Sequence, residues 1–206
     1  MPDYIATSAF GLESVVAREL QALGYGDTEV SHGAVRFTAD ESAIARCNLW
    51  LRTADRLLVE VGRFPASDFG VLFDGTTGLP WERWMGLDAA FPVRGKSVRS
   101  QLSSVPACQR VVKKALVERL RKAHGVVELT EDGPRFAVQV SLLNDEVSLT
   151  LDTTGAGLHK RGYRTGRAVA PLKETLAAAL VQLSFWRPER PLIDPFCGTG
   201  TIPIEA

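Results

Sequence analysis

Thr28-Glu29-Val30-Ser31-His32-Gly33-Ala34-Val35-Arg36-Phe37-Thr38 is the stretch on which the fold of the first third of the chain turns. Two short runs flank His32-Gly33, and Val35 and Phe37 alternate with polar neighbours, which predicts a β-hairpin. Reading outward toward the N-terminus, Leu12, Val15, Val16, Leu20 and Leu23 recur at helical spacing between Gly11 and Leu23. Gly24 and Gly26 stop that helix, and residues 3–8 before it read as a short strand. Outward in the other direction, Asp40 can cap a helix running through Leu51, with Ile44, Cys47, Asn48 and Leu51 along one side. A strand follows at Arg56–Phe64, with Leu57, Val59 and Val61 on one face. The resulting order, βαββαβ within about 65 residues, is a split, ferredoxin-like pattern.

The next stretch predicts a second α/β unit. Residues 65–90, with Trp81 and Trp84, read as helical turns and loop, and Ala90–Val93 as a short strand. Ser103 or Ser104 can cap a long helix, Cys108 to Lys122, whose apolar side is Val111, Val112, Ala115, Leu116 and Leu120. Arg135–Leu143 and Val147–Asp152 read as two strands of a hairpin. Residues 155–170 are Gly-rich and basic, a linker. Pro171 opens a helical run, Leu172–Phe185, which Pro188–Arg190 breaks. Pro191-Leu192-Ile193-Asp194 reads as a short apolar strand and Ile202–Ala206 as the first turn of a helix, where Pro203 is tolerated. The fold class expected is α+β: a ferredoxin-like unit over 1–65, a second unit over 66–155, a linker over 156–170 and the start of a further domain over 171–206.

Composition narrows the function classes. With 206 residues, 45% of them hydrophobic and 23% charged, the chain is globular rather than disordered. Three cysteines exclude a disulfide-built scaffold. No apolar run approaches the ~18 residues of a membrane span, and the N-terminus lacks the pattern of a signal peptide, so a soluble cytoplasmic protein with no membrane partner is expected. The 24 basic and 24 acidic side chains cancel, but not locally. Net charge is −6 over residues 1–93, +8 over 94–122, −5 over 123–158 and +4 over 159–167. Blocks of this kind can build a positive patch for a polyanion. The far side of the long helix carries Arg110, Lys113, Lys114, Arg121 and Lys122, and Arg94, Lys96 and Arg99 precede it.

The segment with the clearest chemistry is Asp194-Pro195-Phe196-Cys197-Gly198-Thr199-Gly200-Thr201, placed after an expected strand and opening a helix. Two glycines let backbone approach a ligand closely. A dinucleotide fingerprint needs Gly or Ala at 203, where Pro203 stands, and a phosphate-binding P-loop needs a Lys after Gly200. An acidic residue four positions before the first glycine is instead the methyltransferase arrangement, in which the Asp194 carboxylate suits the cationic group of a zwitterionic ligand.

Together with Leu158-His-Lys-Arg-Gly-Tyr-Arg164 and Ala170-Pro-Leu-Lys-Glu-Thr-Leu-Ala-Ala-Ala179, this segment makes the chain strongly resemble the THUMP-containing class I RNA methyltransferases. Among these it looks most similar to bacterial large-subunit rRNA guanine-N2 methyltransferases. The resemblance runs over all 206 residues. It implies a THUMP RNA-binding unit at 66–155 and the incomplete start of a Rossmann-like, S-adenosylmethionine-dependent domain at 171–206. Carried over by position, it implies cofactor contacts at Asp194, Cys197, Gly198, Gly200 and Thr175, with Lys173 and Glu174 nearby. In that family context the basic blocks read as RNA contacts at Arg94, Lys96, Arg99, Arg110, Lys113, Lys114, Arg121, Lys122, Lys160, Arg161 and Arg164, with Arg167 beside them. The partner implied is RNA, large-subunit rRNA in particular. The family's Asn-Pro-Pro-Tyr type motif, which positions the guanine amine, is absent from the sequence. The expectation is thus an N-terminal fragment without a catalytic residue set of its own, inactive alone, whose residues 168–206 pack poorly. A non-catalytic RNA-binding module is the alternative. His32, His124 and His159 lack metal-ligand spacing, so no metal is expected. Cys47, Cys108 and Cys197 read as packing residues. Trp50, Trp81, Trp84 and Trp186 are candidates for base stacking, with core or interface packing preferred.

Overall fold

The computed structural model describes residues 1–164 and 171–206; Thr165–Ala170, including Arg167, lie outside the described residues. The chain divides into two compact units, one built from residues 1–58 together with 153–206, the other from residues 59–152.

In the first unit the elements are β1 (Asp3–Thr7), α1 (Glu13–Ala22), β2 (Thr28–Ser31), β3 (Ala34–Thr38), α2 (Ser42–Trp50) and the first residues of β4 (Arg56–Pro65). Their strand order is β2-β3-β1-β4, the ferredoxin-like arrangement. β3 pairs antiparallel with both β1 and β2. Gly33 takes the positive φ (71°) that the hairpin turn requires. The Glu13 carboxylate of α1 accepts from Gly33 N (2.7 Å) and Gly11 N (2.9 Å), tying the helix start to that turn. Alternation places Tyr4, Ala6, Val35 and Phe37 in the core against Val15, Val16 and Leu20, and the Tyr4 and Phe37 rings stack at 5.5 Å. Asp40 Oδ1 accepts from Ser42 N at 2.9 Å, ahead of α2.

The second unit holds the rest of β4, then α3 (Phe69–Thr77), a 3-10 turn at Trp81–Arg83, β5 (Val93–Val98), α4 (Val105–His124), β6 (Ala137–Leu143) and β7 (Glu146–Asp152). The order is β4-β7-β6-β5, with β6 antiparallel to β7 and parallel to β5. The β6–β7 turn is a two-residue turn in which Asn144 (φ 51°) and Asp145 (φ 62°) are both left-handed, as a right-twisted hairpin favours. Trp81, Met85 and Phe91 pack with Val112, Leu116 and Leu120 of α4 and with Val138, Val140 and Leu149 of the sheet. Trp81 is fully buried, and its indole N–H donates to Thr76 O at 2.8 Å.

Several sequence expectations are corrected here. Residues 65–90 contain a regular nine-residue helix, α3, which Asp68 caps by accepting from Val71 N. The strand expected at Ala90–Val93 lies at Val93–Val98 instead. It was hidden because its inward side is Val93, Gly95 and Ser97, too polar to show apolar alternation. α4 begins at Val105, three residues before the expected start, with Pro106 in its first turn; Ser104 is the N-cap residue but makes no side-chain cap bond. It ends at Gly125 in the left-handed conformation (φ 67°).

After β7, α5 (Glu174–Leu183) and α6 (Thr201–Glu205) complete the first unit. Pro191–Asp194 forms no strand; among the described residues it pairs with no other strand, and an extended segment is stabilised by such pairing. The expectation of poor packing holds for one part only. Ile193 is 84% and Phe196 93% exposed, whereas Ala177, Ala178 and Ala179 of α5 are fully buried. Asp55 accepts from Thr175 Oγ1 (2.9 Å) and pairs with Lys173 (2.7 Å). Glu19 of α1 accepts from Gln182 Nε2 (2.6 Å), Thr53 N (3.0 Å) and Thr53 Oγ1 (2.6 Å). α5 is therefore seated on the ferredoxin-like elements by an alanine face flanked by polar ties.

Candidate functional sites: a glycine loop and a basic face

The glycine loop is built from Asp194 to Gly200. Asp194 Oδ1 accepts from Phe196 N (3.1 Å) and Gly200 N donates to Cys197 O (2.7 Å). Gly198 (φ 53°) and Gly200 (φ 70°) both need the left-handed region, and the nearest atoms to where a Cβ would sit are 3.9 Å away, Phe196 O for Gly198 and Ile204 Cδ1 for Gly200. The loop thus offers an open backbone surface beside a carboxylate. Cys197 is exposed, which corrects the expected packing role. Thr175 is 2% exposed and its hydroxyl is taken by Asp55, so it serves the seating of α5 and presents nothing to the loop.

Two arginines expected at an RNA surface are drawn inward. Arg164 pairs with Glu174 through Nε; its Nη2 donates to Leu172 O (2.8 Å) and Thr201 Oγ1 (2.7 Å), and its Nη1 to Thr199 Oγ1 (3.2 Å). Burial pushes the Glu174 carboxyl up, but the Arg164 hydrogen bond, a backbone hydrogen bond and the nearby positive charge together outweigh it and the net shift is downward; the bond to Glu174 raises Arg164. Arg161 Nε lies 3.2 Å from Glu205 Oε1 without hydrogen-bond alignment, and its Nη2 donates to Arg52 O. Glu205, 3% exposed, also accepts from Tyr163 OH (3.0 Å) and faces Arg52 at 3.7 Å. Glu205 and Arg52 carry no local sequence signal; only the fold assembles them.

In the second unit, Arg94 and Lys96 alternate onto the exposed side of β5, the outermost strand of its sheet. Arg99 follows at a positive φ of 50°. At 100° per residue, Arg110, Lys114 and Arg121 fall within about 40° of one line along α4, whereas Lys122 lies about 120° away from Arg110. Pro92, Val93, Pro106, Gln109, Arg110, Lys113 and Lys114 line an open cleft of about 600 Å³. Gln109, which carries no charge signal in the sequence, donates to Val93 O at 3.2 Å and braces the cleft floor. Lys113 is held by Glu131 and sits 3.6 Å over the Phe91 ring. Arg110, Lys114, Arg121 and Lys122 are exposed, as is Lys160 in the other unit. Among the tryptophans, Trp81 is core, Trp84 packs against it, Trp186 donates to Arg190 O, and Trp50 is 66% exposed. Among the described residues no His, Cys, Asp and Glu group could hold a metal ion, and no helix is long and apolar enough to cross a membrane.

Three family models match in succession: the RlmL ferredoxin-like domain over residues 3–58, the THUMP domain over 66–152 and the RMKL-like methyltransferase domain over 161–206. The chain is 53% identical to the Bacillus subtilis protein named "Putative RNA methyltransferase YpsC" over 98% of its own length and 53% of that protein's. It is 37% identical to ribosomal RNA large subunit methyltransferase K/L of Photobacterium profundum, over 100% of its own length and 29% of that protein's. Among solved structures, a Listeria monocytogenes protein described as a predicted N6-adenine-specific DNA methylase superposes with a TM-score of 0.95 at 56% identity, covering 99% of this chain and 54% of that one. SMU.472, described as "a putative methyltransferase complexed with SAH", superposes with a TM-score of 0.93 at 46% identity, again covering 99% and 54%. The chain spans about half the length of YpsC and less than a third of the K/L enzyme. An RlmL ferredoxin-like domain, a THUMP domain and an RMKL-like methyltransferase domain are thus matched one after another along the chain, which is similar in sequence and fold to proteins named as methyltransferases.

Proposed function

We propose that the chain provides the RNA grip and the S-adenosylmethionine loop of a cytoplasmic methyltransferase acting on guanine N2 of large-subunit rRNA. The observation that carries this reading is the pairing, in one chain, of a THUMP unit bearing a basic cleft with an open glycine loop beside Asp194. The residues fit the cofactor. Gly198 and Gly200 leave room for close approach, and Asp194 supplies a carboxylate for an amino group. S-adenosylmethionine would supply an electrophilic methyl group there. Asp194, Cys197, Gly198 and Gly200 are the residues that would hold it; Thr175 stabilises α5 behind them.

For RNA, Arg94, Lys96, Arg99, Arg110, Lys114, Arg121, Lys122 and Lys160 are exposed to meet phosphates, Lys114 with its ammonium 5.7 Å from the Phe73 ring centroid, and Lys113 stands in the cleft already neutralised by Glu131. Phosphate contacts of this sort position a nucleic acid without reading its sequence. The guanine amine is a poor nucleophile because its lone pair is delocalised into the ring, so catalysis depends on holding the base outside its stack. No Asn-Pro-Pro-Tyr type motif occurs in this sequence, so the chain's own contribution is binding and orientation.

The test is calorimetric titration of the chain with SAH, alongside binding to large-subunit rRNA fragments. Saturable binding of both supports the reading. RNA binding with no SAH binding favours the non-catalytic module. Methyl transfer from labelled S-adenosylmethionine by the chain joined to the remaining length of a YpsC-like relative, followed by nucleoside analysis, decides the base: N2-methylguanosine is expected, and label only on adenine N6 of DNA refutes the substrate assignment.

A further inference from the structure

The loop Asp194–Gly200 makes few bonds of its own, and its two glycines have the widest backbone freedom of any residue. Something outside it must define its shape. The segment Arg161-Gly162-Tyr163-Arg164 meets α6, the helix that directly follows the loop, at both ends. Arg161 and Tyr163 engage Glu205 at its last residue. Arg164 engages Thr201 at its first residue, Thr199 inside the loop, and Glu174 and Leu172 at the start of α5. Thr199 and Thr201 straddle Gly200, and their hydroxyls lie 3.1 Å apart beneath the same guanidinium.

We propose that Arg164, backed by Arg161 and Tyr163, is the positioning residue of the glycine loop, and that these two arginines serve the cofactor site rather than the RNA surface. The function of the loop as a cofactor site rests on the function proposed above; the geometry of the strap does not. A planar guanidinium can reach Glu174 on one edge and both threonines on another at once, which an ammonium on a single flexible stem cannot do. The charge matters for Glu174, but the fork matters for the loop. Substitution by lysine separates the two roles, because it keeps the charge and loses the fork.

The experiment compares the wild-type chain with Arg164→Lys, Arg164→Ala and Thr201→Val. Amide hydrogen exchange on the seconds timescale reads the loop directly, and calorimetry with SAH reads its consequence. Arg164→Lys and Thr201→Val are expected to speed exchange over residues 198–204 and to weaken SAH binding by about tenfold or more, with residues 105–124 unchanged. Free guanidinium at sub-denaturing concentration should restore loop protection to Arg164→Ala. Should the alanine variant fail to fold, lysine and Thr201→Val carry the test. If wild type binds no SAH while loop exchange still responds, the cofactor reading fails and the strap stands. If lysine preserves both loop protection and SAH affinity while alanine destroys them, Arg164 is only a charge partner of Glu174 and the proposal is overturned. Unchanged loop exchange in the lysine and Thr201→Val variants overturns it as well.

Discussion

Replacing both Arg110 and Lys114 by alanine tests the basic face where neighbouring charges differ most. Both side chains are exposed on one line of α4 and both border the cleft. Lys113, one residue away, is committed to Glu131 and the Phe91 ring. Alanine is the best helix former, so the double variant should keep its stability. Removing one phosphate-binding charge lowers the slope of log K against log salt by about 0.7 for single-stranded RNA, so removing two lowers it by about 1.4. Over a fourfold rise in salt, from about 50 to 200 mM, the wild-type advantage in affinity should then shrink about sevenfold. Lys113→Ala should change the slope by less than about half of one such charge, because its own is already compensated. Fluorescence anisotropy with a labelled single-stranded rRNA fragment at several salt concentrations measures all three slopes. A double variant with the wild-type slope, or a Lys113→Ala slope as reduced as that of the double variant, would refute the assignment of the cleft.

Four further outcomes follow from the geometry. Gly75→Ala sets helix propensity, worth up to about 1 kcal/mol in favour of alanine, against a Cβ that would sit well inside van der Waals contact of the Phe64 ring. Overpacking costs about 1–3 kcal/mol, so chemical denaturation should show net destabilisation. Glu19→Ala strands the Thr53 N–H and hydroxyl and releases Gln182; at about 1–3 kcal/mol for a buried unpaired group, the melting temperature should fall and exchange in α5 should rise. The Glu174 carboxyl is held below its ordinary 4.5 in the fold, so its pairing stabilises the chain above that pH and is lost as pH falls through the lowered value. Glu174→Gln should therefore flatten the acid side of a stability-versus-pH curve, and an unchanged curve would contradict the pairing with Arg164. Burial pushes the Cys47 thiol up to about 12 and raises Cys108, while Cys197 is exposed. A thiol reagent should thus titrate one cysteine in the native chain and three after unfolding; rapid native labelling of Cys47 would contradict its burial.

The sequence by itself determined the elements whose residues repeat with a clear period. The hairpin of β2 and β3 follows from Val35, Phe37 and the turn at His32-Gly33, and α4 follows from its Val112–Leu116–Leu120 stripe. The methyltransferase-type loop was legible too, because glycine spacing and the excluding Pro203 are local facts. Elements without such a period stayed hidden. β5 carries Gly95 and Ser97 on its buried side, and α3 is short and mixed, so their identity comes from β6 and α4 against which they lie. Tertiary structure alone decided what the charges do. Arg161 and Arg164 look like RNA ligands in a basic stretch, yet Glu174, ten residues beyond Arg164, and Glu205, far along the chain from Arg161, draw them inward. Lys113 and Lys114 are adjacent in sequence, yet only Lys113 meets Glu131. A charged side chain takes whichever partner the fold delivers within about 4 Å, and that distance is a property of the folded chain, not of residue order.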